Sequence, residues 1–324
     1  MAIVSASSGE AIELAAQRLR AGGLVAMPTE TVYGLAARAD DDVAVAQIFA
    51  TKGRPSEHPL IVHVFGRDEA QTFATHLSAA ATRLIEACWP GPVTVIVRRA
   101  AGRATAAAAG APTLALRSPH HPVARALLAR CAQLNIAGLA APSANRFGHV
   151  SPTTAAHVSD EFGPELMVLD GGPCELGIES AIVDCSGEAP VLLRPGVTTR
   201  ARLEQVLGTS LREPDAHSPA APGTLESHYA PRATLRLMSS DEMKTALQVL
   251  PATLQGLAVY SRTAPRRHPL VQVMPDDPRA VARELFAVLR AFDARGVKLI
   301  WVEQPPDTPD WEGVNDRLQR AAAH

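Results

Sequence analysis

The chain has 324 residues, 47 % of them hydrophobic and only 4 % aromatic, with a formal net charge of −2. That length favours two domains with a sizeable core, and the near-neutral charge excludes a general basic coat for nucleic acid, so any anion site must be a local cluster. Cys88, Cys131, Cys174 and Cys185 form no C-x-x-C pair and no apolar run reaches membrane length, so buried, idle thiols in a cytoplasmic chain without a leader or a membrane span are expected.

Ser7 with Glu10 can form a capping box, and Ile12, Ala15, Ala16 and Leu19 share one helical face before Gly22-Gly23 ends it. Residues 24–27 read as a buried strand stopped by Pro28, followed by a polar turn over 29–34 in which Thr29 and Thr31 bracket Glu30 and Tyr33-Gly34 adds a hinge. Residues 43–51 have helical spacing and deliver Lys52 and Arg54 to a solvent-facing loop, because Pro55 disfavours helix at the residue before it. His58 precedes, and His63 lies in, a strand over 60–64; half-buried neutral histidine is the ordinary fate there, and the spacing offers no metal ligand set. Helical stretches around Ala70 and Leu84, strands over 93–97 and 114–117, an Ala-rich loop over 100–111, a helix over 123–134 and a strand over 139–141 follow. Ser143-Ala144-Asn145 then offers a hydroxyl and an amide. Further strands are expected at 166–169, 181–184 and 191–194, the second opened by Ser180 after the Gly177-Ile178-Glu179 turn.

Some of these strands are joined by connections too short for crossovers, which predicts a mixed α/β sheet. After a short helix at 201–207, the chain turns polar and rich in Pro, Ala and Ser to residue 231, as a linker does. His228-Tyr229 between prolines suits a cover that docks over a site and keeps water out. Strands at 234–238, 257–260 and 298–302 and helices at 241–249, 279–294 and 314–322 then describe a smaller α/β domain. The chain thus divides into 8–200, a linker or lid at 201–231, and 232–324.

Lys52, Arg54, Arg117 and Arg194 stand at element ends beside Pro, Ser or Gly. A solvated helix end explains any one of them; all four meeting in one hollow would make an anion site. No G-x-x-x-x-G-K-S/T loop, G-x-G-x-x-G fingerprint, H-E-x-x-H pair or G-x-S-x-G elbow occurs, which disfavours P-loop NTPases, dinucleotide oxidoreductases, zincins and α/β-hydrolases.

In order, Pro28-Thr29-Glu30-Thr31-Val32-Tyr33-Gly34-Leu35, Lys52-Gly53-Arg54-Pro55, His58-Pro59-Leu60-Ile61-Val62-His63, Pro142-Ser143-Ala144-Asn145, Ser151-Pro152-Thr153, Gly177-Ile178-Glu179-Ser180 and Leu193-Arg194-Pro195-Gly196 resemble the YrdC-like family, in the long form of threonylcarbamoyl-AMP synthase with an additional C-terminal domain. The resemblance runs from about Ser8 to Pro231 and more loosely beyond. It implies a twisted mixed-sheet domain with a concave electropositive cavity and a Rossmann-like C-terminal domain. The implied activity condenses L-threonine, bicarbonate and ATP into threonylcarbamoyl-AMP and pyrophosphate, with Mg2+ bound through the ATP phosphates. The product would pass to a transfer machinery that modifies tRNA adenosine beside the anticodon, with RNA contact possible for this chain.

Carried over by motif, Lys52, Arg54, Ser143 and Asn145 match the family's tetrad at the nucleotide. Arg54, His58, Thr113, Ser143, Ser151, Arg194 and Tyr229 match ATP-contacting positions. Thr31, His63, Arg117, Ala141 (through its backbone) and Ser180 match threonine-contacting positions. His58 stands where Asn is common, and Ala181 where Thr is frequent. Two other readings stay open: a non-catalytic RNA-binding protein, and a carbamoyl-adenylate-forming maturation factor similar to HypF, whose zinc-finger cysteine pairs are absent here.

Overall fold

The computed structural model describes residues 3–6, 8–250, 255–264 and 270–323. The first part runs β1 (Ile3–Ser5), α1 (Gly9–Arg20), β2 (Val25–Met27), β3 (Gly34–Arg38), α2 (Asp42–Lys52), β4 (Ile61–His63), α3 (Arg67–Phe73), α4 (Ala79–Cys88), β5 (Val93–Arg98), β6 (Thr113–Arg117), α5 (Pro122–Gln133), β7 (Leu139–Ala140), α6 (Ala155–Phe162), β8 (Met167–Asp170), β9 (Ala181–Asp184), β10 (Val191–Arg194) and α7 (Arg200–Leu207). Ser7, read as a cap, lies outside the described residues; Ser8 is the N-cap of α1, accepting from Ala11 N at 3.4 Å.

Ten strands form one mixed sheet in the order β1-β8-β2-β3-β7-β4-β6-β5-β9-β10. Antiparallel β2/β3, β3/β7, β4/β7, β5/β6 and β9/β10 pairs combine with parallel β1/β8, β2/β8, β4/β6 and β5/β9 pairs, and the short β2–β3 and β9–β10 connections permit only the antiparallel kind. Three elements of this part were not expected. β3 (Gly34-Leu35-Ala36-Ala37-Arg38) follows the turn read over 29–34 and consists mostly of small residues without β-branching, so it carries no strand signal. β1 and α6 are short.

Layering decides where a site can lie. Helices α1 and α5 cover one face at the β2–β8 side, and α2, α3, α4 and α7 cover the opposite face. On the β4–β6–β5–β9–β10 half, the remaining face holds Ile61, Ile96, Ala115, Ile182, Val191 and Leu193, and its cluster gains only Ala221 from outside the sheet. That half is the concave floor.

The second part comprises β11 (Thr234–Met238), α8 (Ser240–Val249), β12 (Leu257–Ser261), β13 (Val271–Val273), α9 (Pro278–Ala294), β14 (Leu299–Glu303) and α10 (Glu312–Ala322). Its four strands pair in parallel in the order β11-β14-β12-β13, a Rossmann-like sheet. Edge strand β13 is largely exposed and carries no apolar run of its own, so it was not expected. Between the parts, α7 and its continuation belong to the first core, where Leu203, Leu207 and Leu211 are buried. The covering segment proper starts after Arg212, which bridges to Val191 of β10.

The two parts share a core. Val32, Val150 and Ile178 of the first pack with Val281, Ala282, Leu285, Phe286 and Val314 of the second. Gly177 permits this approach: a Cβ there would lie 2.4 Å from the Ala282 carbonyl, at a φ of +77°.

Candidate active site

Period-two alternation places the polar ends of floor strands on the concave face. Ile61 and His63 of β4 share that side, as do Thr113, Ala115 and Arg117 of β6, with Ile61 opposite Ala115 and His63 opposite Arg117. Arg194 arrives by another route. The β9/β10 register shifts between Leu192 and Arg194, setting Arg194 opposite Ile182, so a bulge re-aims the guanidinium over the floor.

Arg54, Arg117 and Arg194 line one hollow together with Thr31, His63, Ala141, Ser143, Glu179, Ser180, His228 and Tyr229. Arg194 donates from Nε (3.1 Å) and Nη2 (2.9 Å) to the Ser180 carbonyl and from Nη1 (2.8 Å) to that of Pro222. Arg117 donates to Thr31 Oγ1 (2.8 Å) and the Gly91 carbonyl (3.2 Å), and its Nη2 lies 2.7 Å from Glu30 Oε1, an ion contact without hydrogen-bond alignment. Arg54 donates to the Pro59 carbonyl (3.0 Å) with its guanidinium over Phe147; burial lowers its pKa to about 10, so it stays charged at neutral pH. Ser180 Oγ sits 2.8 Å from Thr94 Oγ1 and 3.3 Å from Arg194 Nη2. Burial, reinforced by Arg117, pushes His63 down to about 3, leaving a neutral imidazole whose Nδ1 has no hydrogen-bond partner among the described residues.

The expectation that Lys52 and Arg54 ride solvent-facing loops is wrong. Lys52 ends α2 and is 3 % exposed; Arg54 is 9 % exposed. The left-handed Gly53 reverses the chain after Lys52, and the lysine turns inward, where Nζ donates to the carbonyls of Ser143 (2.6 Å) and Asn145. Burial pulls its pKa well below the usual lysine value, aided by the nearby Arg54 charge. So three of the four expected cations meet in the hollow, and the fourth bolts the Ser-x-Asn segment to α2 from behind.

Asn145 is likewise turned away, donating from Nδ2 to the carbonyls of Arg146 (2.7 Å) and His149 (2.9 Å), while the Ser143 side of the segment lines the hollow. His58 lies outside it, its ring 5.4 Å from that of Phe147. Ser151 is buried behind the wall and donates to Glu179 Oε1 at 2.5 Å. Thr113 shares Arg117's face of β6 but lies four residues, roughly 13 Å, along the strand. Ala141 spends its N–H on the Ile61 carbonyl (3.0 Å), so a backbone contact to ligand must run through its carbonyl.

The covering segment closes the hollow with Pro222, Gly223, His228 and Tyr229. Tyr229 adopts a left-handed φ of +61° and stacks on Phe286 of α9 at 5.5 Å, and its hydroxyl has no hydrogen-bond partner among the described residues. The enclosed volume is about 50 Å³, room for a few waters. Sequence reasoning passed over Glu30 and Glu179 as site residues although both sat inside quoted motifs, and it had no signal for Arg317 of α10, which bonds Glu179.

A family model for Sua5, YciO and YrdC proteins, described as "Telomere recombination", matches residues 17–196, and one described as "Threonylcarbamoyl-AMP synthase, C-terminal domain" matches 198–323. The chain is 34 % identical to a threonylcarbamoyl-AMP synthase of Pyrococcus abyssi, covering 97 % of this chain and 94 % of the relative. It is 36 % identical to that of Bacillus subtilis, covering 96 % and 92 %. A crystal structure of P. abyssi Sua5 complexed with L-threonine is similar with a TM-score of 0.84 at 32 % identity, covering 96 % of this chain and 94 % of that one.

Proposed function

The chain belongs to the Sua5, YciO and YrdC family and carries the C-terminal domain of threonylcarbamoyl-AMP synthases, and from that premise we propose that it makes threonylcarbamoyl-AMP and pyrophosphate from L-threonine, bicarbonate and ATP. It is a nucleotidyl-transferring enzyme, the class of its near-full-length relatives, which are named threonylcarbamoyl-AMP synthases. The single observation that carries the reading at atomic scale is the meeting of Arg54, Arg117 and Arg194 in one hollow between a sheet floor and a docked cover.

The chemistry needs that arrangement. Threonine's amine and bicarbonate give a carbamate and water; a carbamate oxygen then attacks the α-phosphorus as the bond to pyrophosphate breaks. Nucleophile and electrophile are both anionic, so the task is charge neutralisation and positioning rather than covalent catalysis. In this proposal Arg54 and Arg194 take up phosphate charge and Ser143 hydrogen-bonds the nucleotide. The Nη protons of Arg117 turned neither to Thr31 nor to Glu30 receive the threonine carboxylate, with Thr31 and Ser180 beside its side chain. Neutral His63 offers an acceptor without adding charge. The apolar floor leading from Arg117 towards Thr113 suits the nucleoside. Mg2+ comes with the ATP phosphates as part of the substrate.

The enclosed 50 Å³ is far below the several hundred Å³ a nucleotide occupies. The cover must therefore leave for ATP to enter, and its return shields a mixed anhydride that water would destroy. We further assign a first domain that runs from residue 8 through α7 to Arg212, a cover from there to 231 and a C-terminal domain over 232–324, with a cytoplasmic setting and delivery of the product to a tRNA-modifying transfer machinery. Among the described residues no helix is long and apolar enough to cross a membrane.

Pyrophosphate release from ATP, measured with threonine and bicarbonate each present or omitted, tests the function, with mass spectrometry of the adenylate. Release that requires both supports it. Release independent of threonine, or none, overturns it, and RNA binding without turnover would revive the non-catalytic reading.

A further inference from the structure

Among the described residues lining the hollow, Glu179 is the one carboxylate, an odd neighbour for two anionic reactants. Its Oε1 accepts from Ser151 and its Oε2 accepts from Arg317 Nε at 2.9 Å. Arg317 comes from α10 of the C-terminal part and is 0 % exposed, the largest fully buried side chain of the protein's described residues. Two more donations reach across the domain boundary, Nη2 to the Glu179 carbonyl (3.1 Å) and Nη1 to the Pro195 carbonyl (3.0 Å), while Nη1 also donates to Asp316 Oδ2 on α10 (2.7 Å), a carboxylate that Arg320 pairs as well (2.9 Å). The guanidinium also lies 5.4 Å from the centre of the Tyr229 ring.

One side chain thus touches the residue before Ser180, the residue after Arg194 and the ring that closes the hollow. The adjoining helical turn adds to the same clamp, since Arg320 Nη1 donates to the Leu225 carbonyl (2.5 Å) and the Arg320 carbonyl accepts from His228 N (3.3 Å). Burial favours a neutral Glu179 carboxyl, but Arg317 and Arg194 outweigh it and hold the group ionised below its ordinary range.

We propose that Arg317 is a positioning residue of the active site, through which the C-terminal domain neutralises Glu179 and holds the Ser180 turn, the Arg194 turn and the Tyr229 cover in register. This rests on the functional reading above. A bare Glu179 would repel ATP phosphates directly, so its neutralisation is an electrostatic task that a merely structural arginine would not have.

The test is a double-mutant cycle on the full chain. Arg317→Met is expected to raise the KM for ATP about tenfold or more, and Arg317→Lys less, because lysine keeps the charge but reaches one acceptor at a time. Glu179→Gln combined with Arg317→Met is expected to recover most of the loss, because no unpaired carboxylate is left. An ATP KM for folded Arg317→Met within about twofold of wild type, or a double variant no better than the single, overturns the proposal. If Arg317→Met does not fold, the same question is put on the Glu179→Gln background, where adding Arg317→Met should cost less than about threefold in KM and a tenfold cost is contradictory. Cleavage after exposed Glu226 by a glutamyl endoprotease reads the clamp without catalysis: it should quicken in both Met variants, and rates equal to wild type sink the clamp. Should wild type release no threonine-dependent pyrophosphate, the functional reading falls while the cleavage rates still test the clamp.

Discussion

Single residues here divide by which way they face. Lys52 and Arg54 are two positions apart, yet one holds the wall and the other lines the hollow. Replacing Lys52 with Met should strand the carbonyls of Ser143 and Asn145 and cost roughly 2–4 kcal/mol of stability in chemical denaturation. Arg54→Ala should lose turnover with a smaller stability change, since its only hydrogen-bond acceptor within the described residues is the Pro59 carbonyl. Equal stability losses would mean the two share one role. The buried histidines make a second prediction. Burial holds His63 and His228 at about 3, so both are neutral when folded, whereas unfolded they titrate near 6.5. The unfolded state then binds more protons below 6.5, and stability is kept above that pH and lost as pH falls towards 3. At pH 5.5 each should have lost roughly 1 kcal/mol relative to pH 7.5, and His63→Gln should flatten that fall in urea melts.

At the scale of elements, the cover depends on one glycine. Gly223 has a φ of +74°, and a Cβ there would lie 2.2 Å from the Tyr229 hydroxyl and 2.6 Å from Arg194 Nη1. Gly223→Ala should therefore lower the melting temperature by a few degrees and kcat/KM about tenfold or more, because the cover cannot seat. Unchanged pyrophosphate release would show that seating is dispensable. Most elements were legible because their signals are local: α1, β4, α5, β9, β10, β11 and α9 follow apolar periodicity within a residue or two. β3 and β13 were not, because a strand of small residues and a largely exposed edge strand are made by their neighbours' hydrogen bonds rather than by their own pattern. The bulge that turns Arg194 over the floor is likewise a property of the β9/β10 pair and of neither strand alone.

For the whole molecule, activity should require the two parts to stay docked. The shared core around Ile178 and Phe286, and Arg290 donating to the carbonyls of Val150 (2.5 Å) and Ser151 (3.3 Å), make the C-terminal part a wall of the site's surroundings. Gly177→Ala forces a Cβ into α9 backbone, 2.4 Å from the Ala282 carbonyl. Calorimetry of that variant should resolve two unfolding transitions in place of one, with activity reduced about tenfold or more; a single transition at the wild-type temperature would show the interface tolerates separation.

The sequence by itself determined the mixed α/β class, two domains, a Pro-rich cover and the set of motifs from which the family is legible, because periodicity, turn chemistry and short motifs act over a few residues. Which side chains of those motifs share a space was decided by tertiary structure. Sheet order set Arg117 opposite His63, a bulge turned Arg194 over the floor, a left-handed Gly53 folded Lys52 behind the wall, and domain docking placed Arg317 on Glu179. Convergence depends on register and packing between segments as much as 138 residues apart, and no local pattern encodes that.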